Sequence, residues 1–252
     1  MAYVHRRVVA GQTVEHRKMQ SYRVHTKGVK RGPNKGTTTE KQAKINERVA
    51  EEHLRWDINA NFKHKDLHAV LHYSFLDKPT TLRQILDDKA EFLKILRKLC
   101  RKHKVKPKVL VVIETKSMTN PHLHVIISRI DTEIIQDAWE AVPPQGGYIS
   151  FQSLDNRGNH YKLAHYLVKE SRDTMRRYRE ELGIRGKRYT KSQNMVKPTV
   201  TYEKVPASSW KKEPKARKGA YLYKFDDGST SRSGWHEMTG YPYQEYFEVF
   251  NE

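Results

Sequence analysis

The chain of 252 residues has one cysteine, Cys100. A single thiol excludes an internal disulfide and the cysteine-rich zinc modules, and it fits a reducing compartment, so the expected location is the cytoplasm. Long apolar runs are also missing. The longest aliphatic stretch, Val109 to Ile113, is far short of the ~20 residues that cross a bilayer. Arg6 and Arg7 precede only a brief apolar patch, which does not read as a signal peptide. There is no Gly-rich loop closing on Lys-Ser or Lys-Thr, so nothing suggests an ATP-driven motor. No Gly-x-Ser-x-Gly elbow is present either. Negative charge is scarce, with 29 acidic residues against 48 basic ones and a formal charge of +19.

That basic excess points to a polyanionic partner, because each neutralised phosphate releases counterions. No basic amphipathic helix carries a broad aromatic face, so no membrane partner is expected. Residues 1–38 are basic and poorly periodic and read as an N-terminal arm, in which Lys30, Arg31 and Lys35 are candidate phosphate contacts. Residues 39–198 form the expected main domain. Thr37 and Glu40 have capping-box spacing for a helix to about Trp56. Leu67 to Phe75 reads as a strand, Leu82 to about Lys102 as a helix, and Val109 to Glu114 as a buried strand. His122 to Ser128 is its expected hairpin partner. A short helix is expected over Thr132 to Ala141 and a strand over Gly147 to Leu154. A last helix starts near Tyr161 and runs to Glu170 or on to Leu182, ahead of Gly183. Residues 199–252 read as a basic linker and a small aromatic-rich appendage with a hairpin at Asp227-Gly228. The element order predicts an α+β fold, an antiparallel sheet with flanking helices on one face, related to ferredoxin-like folds.

Chemistry concentrates in Pro121-His-Leu-His-Val-Ile-Ile-Ser128. On a strand His122 and His124 project from one face, while Leu123, Val125 and Ile127 take the other. With 13 histidines in the chain, chance alone supplies about 0.7 His-x-His pairs, so the surroundings must carry the inference. Glu114 ends the preceding strand, and a hairpin brings it towards both imidazoles. Alone it reads as an ordinary strand-end carboxylate. Together the three make a two-His, one-carboxylate set suited to Mn²⁺, Mg²⁺ or Co²⁺. Tyr166 lies opposite the apolar side of its helix, with Lys162 four residues before it and Lys169 three after. Positive neighbours would favour the phenolate, which makes Tyr166 the candidate nucleophile. Tyr161 is the rival, about 140° away on an ideal helix. His72 is a possible accessory residue at the same site, and Arg172 and Arg176 on the helix flank are further candidate DNA contacts. Cys100 falls in the apolar stripe of its helix and reads as core.

A buried strand ending in Glu114, then His122-Leu-His124, then Tyr166-x-x-Lys169 resembles the HUH endonuclease superfamily. More narrowly, it is similar to single-tyrosine rolling-circle replication initiators of bacterial plasmids, phages and integrated mobile elements. The resemblance spans about residues 59–198 and includes Leu71-His-Tyr-Ser74 and Lys191-Ser-Gln-Asn-Met-Val-Lys-Pro198. It implies His122, His124 and Glu114 as metal ligands, Tyr166 as nucleophile and Lys169 as its assisting base or charge stabiliser. The expected activity is nicking of single-stranded or hairpin origin DNA, leaving a 5′-phosphotyrosyl link and a free 3′-OH. His72 departs from the Thr common in related initiators. The helicase domain fused to some viral initiators is missing, so unwinding would fall to a host helicase. A relaxase or transposase of the same superfamily could share this core. A metal-dependent nuclease using water, or a non-catalytic single-stranded nucleic-acid-binding protein, are the other readings. The last would favour aromatic side chains on the binding strands, where this chain has histidines.

Overall fold

The computed structural model describes residues 2–21, 39–142, 147–210, 213–236 and 239–251. These fall into two compact units: one of residues 62–157 and 161–195, the other of the described residues within 1–61, 158–160 and 196–252. The fold is α+β with two antiparallel sheets.

In order along the chain, the strands and helices are β1 (Ala2–Ala10), β2 (Thr13–Ser21), α1 (Glu40–Asn61), β3 (Leu67–His72), α2 (Leu82–Lys102), β4 (Val109–Glu114), β5 (His122–Ile127), α3 (Thr132–Glu140), β6 (Ile149–Ser153), α4 (Tyr161–Glu170), α5 (Arg172–Glu180), β7 (Tyr189–Lys191), β8 (Thr199–Val205), β9 (Ala220–Leu222), β10 (Arg232–Trp235) and β11 (Pro242–Phe250).

The unit built on residues 62–195 has the sheet order β6-β3-β5-β4-β7. Its first six elements run β-α-β-β-α-β, the connectivity of ferredoxin-like folds. One sheet face carries Ala69, Leu71, Val111, Ile113, Leu123, Val125 and Ile127, which α2 and α3 cover with Ile85, Phe92, Leu96, Ile134 and Ile135. Helix α2 starts where expected, at a capping box in which Thr81 and Gln84 serve each other. Cys100 is buried in this core. Strand β3 is shorter than expected. Tyr73 still packs inward, but Phe75 is 83% exposed. The opposite face is covered as well, by α4 and α5, which pack against β4. Helices therefore flank both faces, not one. The tyrosine helix does not run to Leu182; it breaks at Ser171, whose hydroxyl bonds the Val168 carbonyl, and α5 resumes at Arg172.

The other unit corrects the expected N-terminal arm and C-terminal appendage. Residues 2–21 form a hairpin, and β2 pairs with β11 near the C-terminus, giving the order β10-β11-β2-β1-β8 with β9 also on β11. Gly11, at φ +59°, makes the turn; a Cβ there would meet the Asn59 carbonyl oxygen at 2.1 Å. Helix α1 packs Trp56 on Val8 and Ala10. Beside it lie buried charges. Glu15 accepts from Arg55 at 2.5 and 2.7 Å and from the Trp56 indole at 2.6 Å, and Glu52 accepts from Arg6 and Arg17. Helix α1 thus belongs with the hairpin rather than with the domain bearing the histidines. The Asp227-Gly228 turn forms, but β9 and β10 each pair with β11.

Candidate active site

Register places the key residues at one end of the five-stranded sheet. Glu114 pairs with His122 across β4 and β5, and His122 pairs with His72 across β5 and β3. The three side chains share the face turned away from the α2/α3 core. The β4 end is fixed from α5: Thr174 Oγ1 donates to the Ile113 carbonyl, and Asp173 accepts from the Thr115 hydroxyl at 2.6 Å and from the Ser117 amide at 2.8 Å. The connection to β5 is strained, with Lys116, Ser117 and Met118 all at positive φ. The Asp173 bond to Ser117 helps to hold it.

Within the site, His124 Nε2 donates to Glu114 Oε2 at 2.8 Å, and His122 Nδ1 stands 3.6 Å from the same oxygen. The Tyr166 ring meets His124 edge to face, with centroids 5.6 Å apart. Tyr166 remains 42% exposed. Tyr161 is only partly exposed, at the start of α4, and Tyr166 is the tyrosine brought to His124.

Burial alone would raise the Glu114 carboxyl, but the flanking His122 and His124 outweigh it and hold it well below the carboxylate range. Tyr166 behaves differently from the expectation. Burial raises its phenol, and the charges of Glu114 and Glu170 raise it further. The flanking lysines do not reverse this: Lys169 is exposed, and its charge acts on Glu170. Lys162 is likewise exposed. His72 stacks on Tyr148 and meets His122 edge to face, and burial with the neighbouring His122 and His124 pushes it down to about 4.

A metal ion is testable against this donor set. Among the described residues, no three His, Cys, Asp or Glu side chains meet as a metal-binding cluster as they are placed. The chemistry of the donors nonetheless fits one. Both ring nitrogens of His122 are buried with no hydrogen-bond partner, an expensive state for an imidazole that a cation would relieve. Two donors ~2.1 Å from an octahedral ion stand about 3 Å apart. The 2.8 and 3.6 Å separations bracket that value, so small rotations suffice.

Two residues of this site were not picked out from sequence. His68 lies one step down β3, with Nε2 3.2 Å from His124 Nδ1, and it is buried. Its contact with His124 follows from the β3–β5 pairing, not from a motif. Glu170 shares a hydrogen bond with Glu114, and it lies one turn after Tyr166, a spacing that could have flagged it. Of the expected DNA contacts, Arg176 is engaged by Asp173 and Glu180, and Arg172 is exposed on α5. Lys30, Arg31 and Lys35 lie outside the described residues.

A sequence model of a replication-associated protein family, the ORF2 type, matches residues 77–174. The match supports a replication initiator. It covers less than half of the chain, yet it takes in Glu114, His122, His124, Tyr166, Lys169 and Glu170. No curated protein and no solved structure matches the chain. No helix among the described residues is long and apolar enough to cross a membrane.

Proposed function

We propose that the chain is a replication initiator of the HUH kind, which nicks single-stranded or hairpin origin DNA through a covalent tyrosine intermediate. The observation that carries this reading is the convergence of four groups from three elements. Glu114, His122 and His124 meet on the sheet, and α4 brings Tyr166 onto the His124 ring.

His122, His124 and Glu114 would hold a divalent ion, Mn²⁺ or Mg²⁺, which when bound supplies a Lewis acid for a phosphate oxygen. The chain's own residues do the rest. Tyr166 Oη attacks phosphorus, the bond from phosphorus to O3′ breaks, and O3′ ends with the proton that the phenol gives up. A 5′-phosphotyrosyl ester and a free 3′-OH result, with no change in the number of ester bonds, so no ATP is consumed. Until then Glu114 and Glu170 keep the phenol protonated, which restrains attack in the resting chain. The strong positive charge holds the DNA backbone, with exposed Arg172 on the flank of α5 as one contact. Duplex unwinding is assigned to a host helicase, and the cytoplasm is the place of action.

The test is incubation of the full chain with single-stranded DNA tiled from the element that encodes it, in Mn²⁺ or in EDTA, resolved on a denaturing gel. A Mn²⁺-dependent covalent band that disappears in Tyr166→Phe, with DNA affinity kept within about twofold, is expected. Cleavage with no covalent band makes water the nucleophile. Adduct surviving in Tyr166→Phe moves the nucleophile to Tyr161.

A further inference from the structure

Tyr148 is 63% exposed although it lies against the site. One face of its ring stacks on His72, with centroids 4.2 Å apart and planes 7° from parallel. His72 in turn meets His122 edge to face at 4.4 Å. The exposed part of Tyr148 is therefore its outer face and edge, one ring beyond His122. Its backbone is held on purpose-built contacts. The His72 amide donates to the Tyr148 carbonyl at 2.9 Å, and the Trp139 indole donates to the His72 carbonyl at 3.1 Å. The adjoining Gly147 lies so close that a Cβ would meet the His72 carbonyl oxygen at 2.0 Å and Trp139 Nε1 at 2.6 Å. A surface tyrosine of no consequence needs none of this anchoring.

Topology adds a rim around it. Strands β3 and β4 leave, and β5 and β6 enter, at this one end of the sheet. The connection after β3 carries exposed Phe75 with the Lys78 ammonium 4.9 Å from its ring centroid. Lys78 also donates to the Thr119 carbonyl at 2.8 Å, just before His122. Aromatic faces beside an ammonium group, on a chain of charge +19, match a single strand: bases to stack and phosphates to neutralise.

We infer that Tyr148 is a stacking platform for one unpaired base beside the scissile phosphate of single-stranded DNA. The inference rests on the nicking reading only for the word scissile. Stacking on an aromatic ring is tolerant of base identity, so the platform fixes position along the strand rather than sequence. Loss of the ring should weaken binding about 5- to 100-fold.

The experiment measures affinity for the tightest-binding tile by fluorescence anisotropy in EDTA, where no chemistry intervenes. Each nucleotide is replaced in turn by an abasic one, with wild type, Tyr148→Ala and Tyr148→Trp. A single position should emerge at which base removal weakens wild type and Tyr148→Trp but leaves Tyr148→Ala unchanged. Where wild type nicks in Mn²⁺, that position should lie within about two nucleotides of the nick. If Tyr148→Ala binds like wild type, or every abasic site affects all three chains equally, the platform is wrong. A sensitive position far from the nick overturns its placement. A sensitive position in a chain that never nicks keeps the platform and removes the nicking reading instead.

Discussion

Each of the two units contains a chain of two histidines and a glutamate, and the two chains are wired alike. In one, His5 Nε2 meets His16 Nδ1 at 2.9 Å and His16 Nε2 meets Glu248 Oε2 at 3.0 Å. In the other, His68 Nε2 meets His124 Nδ1 at 3.2 Å and His124 Nε2 meets Glu114 Oε2 at 2.8 Å. They differ in what faces the carboxylate. Glu248 accepts from the Arg217 backbone amide and guanidinium, so its charge is answered by the protein. Glu114 faces Glu170, a second carboxylate, and beside it stands His122 with two unpartnered nitrogens. A His–Glu contact by itself therefore marks nothing. A chain closed by an arginine is architecture; one that ends in paired carboxylates is short of a cation, which is what a metal site requires.

The largest expected effect tests that distinction directly. His122→Ala and Glu114→Gln should each abolish both Mn²⁺-dependent stabilisation and adduct formation, while Glu248→Gln should lower thermal stability and leave the Mn²⁺ response intact. Thermal melts with and without Mn²⁺ read the first difference, and the denaturing gel reads the second. A Mn²⁺ response that vanishes in Glu248→Gln but survives in Glu114→Gln would exchange the roles of the two chains.

Next comes an attempt to turn one chain into the other. Glu170→Arg puts a guanidinium where Arg217 stands in the first chain. Metal affinity should fall by about 100-fold, a loss on the scale of a removed outer-shell partner, with the fold kept. Titration calorimetry with Mn²⁺ measures it. Unchanged affinity would mean that the carboxylate pairing does not prepare the site for a cation.

A smaller loss is expected from the inner histidine. His68 Nε2 can donate to His124 Nδ1 or accept from it, so it can support either tautomer of His124, including the one that frees Nε2 for a metal. His68→Ala should weaken Mn²⁺ binding about 10- to 100-fold, His68→Gln should recover part of that, and His5→Ala should change nothing. Equal losses in His68→Ala and His5→Ala would reduce the effect to general instability.

What the sequence disclosed follows the same division. Strands β4 and β5 were legible because apolar side chains fill one face and Glu114, His122 and His124 interrupt the other. Helix α2 was legible from its apolar stripe and from the cap at Thr81. The hairpin of β1 and β2 was not, because its buried positions include Arg17, Glu15 and His16, and an alternation rule scores those as solvent-facing. Their charges are satisfied by Arg55, Glu52 and Glu248, which are remote in sequence. Glu170 escaped for the reverse reason: a glutamate beside a lysine near a helix end looks solvated until the fold sets it against Glu114.

The least expected effect is a pH dependence, and it separates the two chains by sign of response to substitution. Burial pushes His16 down to about 4, with His5 and Arg217 adding to it against the pull of Glu248. An unfolded histidine takes up a proton near 6.5, whereas folded His16 does so only near 4. Between those values the unfolded chain binds more protons, so stability is full above about 6.5 and is lost as pH falls towards 4. His68 is pushed down to about 4 by burial and by His124, and follows the same rule in its own unit. Thermal melts from pH 7 to 4 should show the decline in wild type. In His16→Asn the chain should be less stable at pH 7 but should lose less on acidification, because the group that resists protonation is gone. Parallel decline of the two proteins would mean that His16 carries none of the acid sensitivity, and that the closed chain, with Arg217 still on Glu248, is held by its ion pair alone.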